Sequence, residues 1–176
     1  TFIHNDHTLY QLNSQNFGQR IVGVYGKNMQ ENLIAVKSDT QIVKIRGYIG
    51  KPEKAKKRSG EQFFFVNSRY MRNPYLYKAI MDAYERLIPQ GAMPAYFLRF
   101  EIPAENIDVN IHPTKTEIKF EDNQAIWQIL NASVRESLGK NNIVPSIDFD
   151  QKGNIGIPPM QKDKEVTPPK IERSEE

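Results

Sequence analysis

The chain has 176 residues with 24 basic and 21 acidic side chains, a formal net charge of +3, three histidines and no cysteine. That length suits one domain of about 100–200 residues plus a tail, enough to bury on the order of two-thirds of the unfolded surface. The missing cysteines exclude disulfides and thiolate metal sites, and so few histidines leave no ligand set for a protein-only zinc site; no metal centre is expected. No apolar run approaches the roughly 20 residues that span a bilayer, so no membrane partner is expected. No charged-then-apolar leader opens the chain either, which favours an intracellular setting, cytoplasmic if the source is bacterial. Thr1-Phe2-Ile3-His4 reads as a strand already under way, so the chain is expected to be a fragment. Five basic and seven acidic residues fall from Asn141 onward, leaving 19 against 14, a net +5, in residues 1–140. That balance weakly favours a nucleic-acid partner.

Phe2 to Asn5 and Thr8 to Leu12 flank Asn5-Asp6-His7, a plausible hairpin because Asn and Asp tolerate turn geometry. Ser14 is a candidate N-cap for a helix with Phe17, Ile21, Val24 and Tyr25 on one face, ended by Gly26. Leu33 to Val36 reads as a short strand. Gln41 to Ile49 alternates, with Val43, Ile45 and Ile49 facing one way and Lys44, Arg46 and Tyr48 the other, as a half-buried strand does. Lys51 to Gly60 is a loop. Gln62 to Asn67 follows as a strand apolar on both faces, one expected to meet the helices and the other a loop or a domain outside this chain. Pro74 starts a helix whose stripe is Leu76, Ile80, Ala83, Tyr84 and Leu87, with Pro89-Gln90-Gly91 ending it. Tyr96, Leu98, Phe100 and Ile102 form the inward face of another strand, which the Pro103-Ala104-Glu105 turn closes. Asp122 or Asn123 caps a last helix that buries Ile126, Trp127, Leu130, Val134 and Leu138 and stops at Gly139. Residues 1–139 thus form the domain. The proline-rich residues 140–176 read as the start of a linker, on which Ile147 and Phe149 alone are able to pack back.

This order of elements implies an α/β (α+β) two-layer sandwich, a mixed and mostly antiparallel sheet with helices on one face. Asn131-Ala132-Ser133 has the glycosylation spacing, but a helical, intracellular setting makes it incidental. No Walker loop, nucleophile elbow or metal-ligand cluster is present, and Glu117 and Glu121 read as exposed positions rather than a catalytic pair, so the isolated chain is not expected to be an enzyme.

The most informative stretch is Asp108 to Phe120, DVNIHPTKTEIKF. Val109 and Ile111 put apolar side chains at odd positions, Ile118 and Phe120 at even ones, so no single strand serves one core through the whole stretch. The chain must bend near Pro113, which leaves His112, Thr114, Lys115 and Thr116 on a short loop held at both ends. A lysine so mounted is a compact charge suited to a terminal phosphate; an ordinary solvated lysine is the alternative.

DVNIHPTKTEIKF, with Phe65-Val66-Asn67-Ser68-Arg69 upstream, resembles the signature of the transducer domain of MutL-family DNA mismatch repair proteins. The likeness extends in element order over roughly Thr1 to Leu138. It implies a left-handed crossover in the strand–helix–strand unit, against the usual hand. It also implies a role. The transducer follows an ATP-binding domain, and Lys115 would reach the γ-phosphate there, coupling ATP binding to conformational change, dimerisation and DNA binding during DNA repair. His112 and Pro113 would shape the loop, while Thr114 and Thr116 would position the lysine or simply build the turn. Asn67 and Arg69 would support the loop or, for Arg69, meet a ligand directly.

ATP and Mg would be cofactors of the parent protein, not of this piece. Expected partners are the nucleotide-binding domain of the same chain, other mismatch repair proteins, a second copy in a parent homodimer, and DNA without sequence preference. The candidate DNA contact is the loop Lys51, Lys54, Lys56, Lys57 and Arg58, whose alternative is a solvated charge run. Five phosphate contacts would give a log–log salt slope of about −4.5. The rival to the transducer reading is a free-standing nucleic-acid-binding module of the same fold.

Overall fold

The computed structural model describes residues 2–4, 7–10, 16–108 and 119–141. Two short strands, β1 (Phe2–His4) and β2 (His7–Tyr10), pair antiparallel with His4 opposite His7. Helix α1 (Phe17–Tyr25) follows, capped by Asn16, whose side chain accepts from the Gln19 amide while the Gln19 side chain accepts from the Asn16 amide. This reciprocal box makes Asn16 the cap, not Ser14, which lies outside the described residues. Gly26, at φ 93°, ends the helix as its sequence position predicts. A one-turn helix α2 (Asn28–Glu31), too short to leave a periodic signal, leads into the main sheet.

That sheet runs β3-β4-β7-β5-β6, from β3 (Leu33–Asp39), β4 (Lys44–Gly50), β5 (Gln62–Val66), β6 (Arg69–Met71) and β7 (Tyr96–Glu101). All pairs are antiparallel except β5 with β7, where the chain crosses over through α3 (Pro74–Tyr84). β3 and β4 close on a turn in which Thr40 Oγ1 both accepts from the Val43 amide and donates to its carbonyl. At Gly47, φ is 147° and an added Cβ would stand 2.0 Å from the Phe97 carbonyl oxygen, so only glycine lets β4 approach β7 there. The last helix, α4 (Asn123–Asn141), is capped by Asp122 Oδ1, which accepts from the Ala125 amide at 2.9 Å.

Strand alternation divides the apolar residues between two cores. On one face Ile34, Val36, Ile45, Ile49, Phe64, Leu98 and Phe100 pack against Leu76, Ile80 and Tyr84 of α3 and Ile126, Leu130 and Val134 of α4. On the other, Leu33, Phe97 and Phe63 pack against Ile21 and Phe17 of α1 and Met29 of α2. The two long helices therefore share one face, as expected. The opposite face, expected to await a loop or another domain, is partly covered by this chain's own α1 and α2. Buried aromatic area on both sides of β5 explains its uninterrupted apolar run.

Two helix ends and one side chain depart from the sequence reading. α3 stops at Tyr84, so Leu87 falls beyond it and is 51% exposed, not part of the stripe. Trp127 is half-buried, whereas the other expected inward residues of α4 are buried. α4 also continues through Gly139 to Asn141, because a glycine weakens a helix without stopping one whose preceding turns are anchored. The proline-rich tail from 142, with Ile147 and Phe149, lies outside the described residues.

Candidate functional site

At the C-terminal end of β7 the chain passes Ile102, makes a 3-10 turn over Ala104–Asn106 and enters β8 (Ile107–Asp108). It returns as β9 (Lys119–Phe120), antiparallel, with Ile107 opposite Phe120 and Asp108 opposite Lys119. The Glu121 amide donates to the Asn106 carbonyl at 3.0 Å and extends the ladder by one step. Phe120, 2% exposed, sits in the larger core and half-buried Ile107 packs on that core, so each end of the intervening segment has an apolar side chain anchored there. Residues 109–118, which carry Val109, Ile111, His112, Pro113, Thr114, Lys115, Thr116, Glu117 and Ile118, lie outside the described residues.

Beside this base stands the turn Val66-Asn67-Ser68-Arg69. Val66 pairs with Arg69 across it, and Asn67 and Ser68 have φ of 46° and 69°. Two successive positive φ values match the twist of a tight hairpin, and Asn is among the few residues that enter this region at little cost. The Asn67 amide N–H donates to the Phe100 carbonyl at 2.8 Å. Its side chain then treats Ile102 as a strand partner: Oδ1 accepts from the Ile102 amide at 3.0 Å and Nδ2 donates to the Ile102 carbonyl at 2.8 Å. Asn67 thereby ties the β5–β6 turn to the chain leaving β7 for β8. Arg69 is exposed, with no ion pair among the described residues.

The basic loop is a fastened structure, not a free run. The Lys51 amide donates to the Asn32 carbonyl at 2.8 Å, a 3-10 turn covers Pro52–Lys54, and Lys56 forms a two-bond bridge with Met93 at 3.0 and 2.8 Å. Beneath it the buried Tyr84 hydroxyl donates to the Gly50 carbonyl at 2.5 Å. Burial pushes the Tyr84 phenol well above the usual tyrosine range, with Glu53 adding to the shift, so the hydroxyl keeps its proton. Lys56 is ion-paired with Glu61. Lys51, Lys54, Lys57 and Arg58 have no such partner among the described residues, and all but half-buried Lys51 are exposed.

Register places these groups. Ile49 and Gln62 both stand opposite Tyr96, at the start of β7, and Val66 opposite Phe100, near its end. The basic loop therefore caps one end of the sheet, while the Asn67 turn and the β8–β9 base share the other. One polar cluster escaped sequence reading. Asn131 of the glycosylation-like triplet is buried, donating to the Ala79 carbonyl at 2.9 Å and to Asp82 Oδ2 at 2.8 Å, while Arg135 Nε donates to Asn131 Oδ1 at 2.9 Å and Arg135 Nη2 pairs with Asp82 at 3.0 Å. This lock between α3 and α4 leaves Asn131 no exposed amide to modify. Only the helical spacing of Asn131 and Arg135 hinted at it, since Asp82 is remote in sequence.

Residues 21–139 match the family described as "DNA mismatch repair protein, C-terminal domain". The chain belongs to that family. Over 167 residues it is 54% identical to "DNA mismatch repair protein MutL" of Bacteroides fragilis (strain YCH46), covering 95% of this chain and 27% of that protein. Over 158 residues it is 56% identical to the protein of the same name from Phocaeicola vulgatus (strain ATCC 8482), covering 90% and 25%. The chain therefore spans about a quarter of the length of these mismatch repair relatives. A solved structure, "Crystal Structure of N terminal domain of a DNA repair protein", superposes with a TM-score of 0.57 at 24% identity, over 70% of this chain and 41% of that one. That likeness shows the shared fold.

Proposed function

We propose that this mismatch repair domain is the transducer of a MutL-type ATPase, which converts the state of a nucleotide held by a neighbouring domain into movement, dimerisation and DNA contact. The observation that carries this reading is the mount of the 109–118 segment. Its two ends, β8 and β9, are paired and rest on the larger core through Phe120 and Ile107, and Asn67 ties the chain entering that base, at Ile102, to the β5–β6 turn. Among the described residues, no three His, Asp or Glu side chains converge to hold a metal. The donor chemistry here fits a single cationic contact, with magnesium and the rest of the ATP held by the neighbouring domain. In this mechanism ATP supplies the γ-phosphate charge. Lys115 supplies the opposing ammonium, worth more as water is excluded at the interface between the two domains. Making that contact fixes the angle between the domains, and losing the γ-phosphate frees it.

Exposed Lys54, Lys57 and Arg58 together with Lys51 would meet DNA phosphates from the far end of the sheet, without reading sequence. Other mismatch repair proteins and a second copy of the parent are the remaining partners. In the full-length parent, Lys115→Ala should lower ATP turnover at least tenfold while leaving the melting temperature of the domain unaltered. Turnover equal to the unsubstituted protein would remove Lys115 from the site and leave the nucleic-acid-binding module as the better description.

A further inference from the structure

α3 and α4 run in the same direction and finish at the same end of the sheet. α3 delivers Tyr84 to Gly50, beneath the basic loop. α4 starts just past β9, at the opposite end, and its 19 residues, about 28 Å long, pack beside α3 through Asn131 and Arg135 and outlast the strands. Between α3 and the turn after it lies an open cavity of about 420 Å³, with Met81, Ile88, Pro89 and Ala92 among its walls. Leu87 of the same turn is 51% exposed. Asp82 in the wall is held by Asn131 and Arg135, while Glu85 has no ion pair among the described residues. Ala92 leads directly to Met93, whose two-bond bridge with Lys56 makes the basic loop the cavity's neighbour.

Residues 142–176 continue the chain from the end of α4, and their first stretch suits this cavity. In the sequence Ile143, Pro145, Ile147 and Phe149 alternate with Val144, Ser146, Asp148 and Asp150, the pattern of an extended segment with one apolar side. We propose that residues 143–150 dock across the cavity, with Ile147 and Phe149 against Met81, Leu87 and Ile88 and with Asp148 and Asp150 turned toward the loop. Glu85 repels those acids from the cavity, and Lys54, Lys57 and Arg58, which have no ion pair among the described residues, attract them. Attachment at Asn141 gives the segment a local concentration on the order of millimolar, which favours it over a second copy or another protein. The domain then extends to residue 150, and the linker begins at Gln151. The inference needs neither Lys115 nor a nucleotide.

The test uses the 176-residue chain, whose lack of native cysteine lets an introduced pair report without interference. In Gln90→Cys with Gln151→Cys, a disulfide should form within one chain in a glutathione buffer. Adding Ile147→Asp and Phe149→Asp should slow it at least tenfold, although the tether keeps its length. Amide exchange supplies a reading without cysteines. Residues 143–150 should exchange at least tenfold more slowly in the unsubstituted chain than in Ile147→Asp with Phe149→Asp, while 155–176 stay the same. Gln90 is exposed and the other three positions lie past α4, and unaltered far-UV circular dichroism would show that the variants fold. A cross-linking rate indifferent to the two aspartates, or no exchange protection at 143–150 in the pure chain, would overturn the proposal and leave the cavity to another protein. Disulfides formed between chains and rising with protein concentration would overturn it in favour of a second copy.

Discussion

Asn67 combines a left-handed backbone with a side chain that hydrogen-bonds both main-chain groups of Ile102. The two features separate by substitution. Asn67→Gly keeps the backbone conformation and loses two hydrogen bonds of about 0.5–1.5 kcal/mol each, so stability should fall by about 1–3 kcal/mol. Asn67→Ala should cost about 1–2 kcal/mol more, because a Cβ there clashes with the backbone. Urea midpoints measure both; equal losses would show that the turn's strain plays no part. Ser68, at φ 69°, gains nothing comparable from its side chain, and Ser68→Gly should raise the midpoint. Gly47→Ala is the severe case, since the obstructing Phe97 carbonyl at 2.0 Å is main chain and has nowhere to move.

Among the elements, α3 bears most directly on the basic loop, through the Tyr84 hydroxyl on the Gly50 carbonyl. The phenol is raised in the folded protein, mainly by burial, so the folded chain holds a proton that the unfolded chain releases near pH 10. Its contribution is complete below that pH and is lost as pH rises further. Tyr84→Phe should lower the neutral-pH stability by about 1–2 kcal/mol and flatten the alkaline decline. Melting temperatures between pH 8 and 11 test this, and an alkaline slope as steep as before would refute it. Tyr96, also raised by burial, keeps part of the slope in the variant.

Sequence showed the long elements well: β4 and β7 alternate because one row of each is buried among large side chains, and α4 repeats its apolar stripe from Ile126 to Leu138, over about three turns. It hid β6, whose Arg69-Tyr70-Met71 is too short to alternate and exists because the Asn67-Ser68 turn folds it onto β5. It hid the second core too, since Phe17 and Ile21 do not announce which face of the sheet they will cover. The family was legible through resemblance in the two motifs, while the loop expected at Lys115 lies outside the described residues.

Across the whole molecule, charge and architecture act together. With Lys56 held by Glu61, four cations of the loop remain for phosphate, so duplex affinity should fall with a log–log salt slope of about −3.6 rather than −4.5. A slope near zero would take DNA off this surface. The two MutL relatives are about four times as long as the stretch this chain matches, 27% and 25% of each. β7 runs from the basic loop to the Asn67 turn, flanked on both sides by hydrogen-bonded strands. Such a strand, about 20 Å long, bends very little. Under the proposed function, a tilt imposed at the β8–β9 end would therefore reappear at the opposite end as sideways travel, with no side chain between the two obliged to change rotamer. The domain would work as a rigid lever, and amide exchange along β4, β7 and β5 would stay the same whichever nucleotide the parent held.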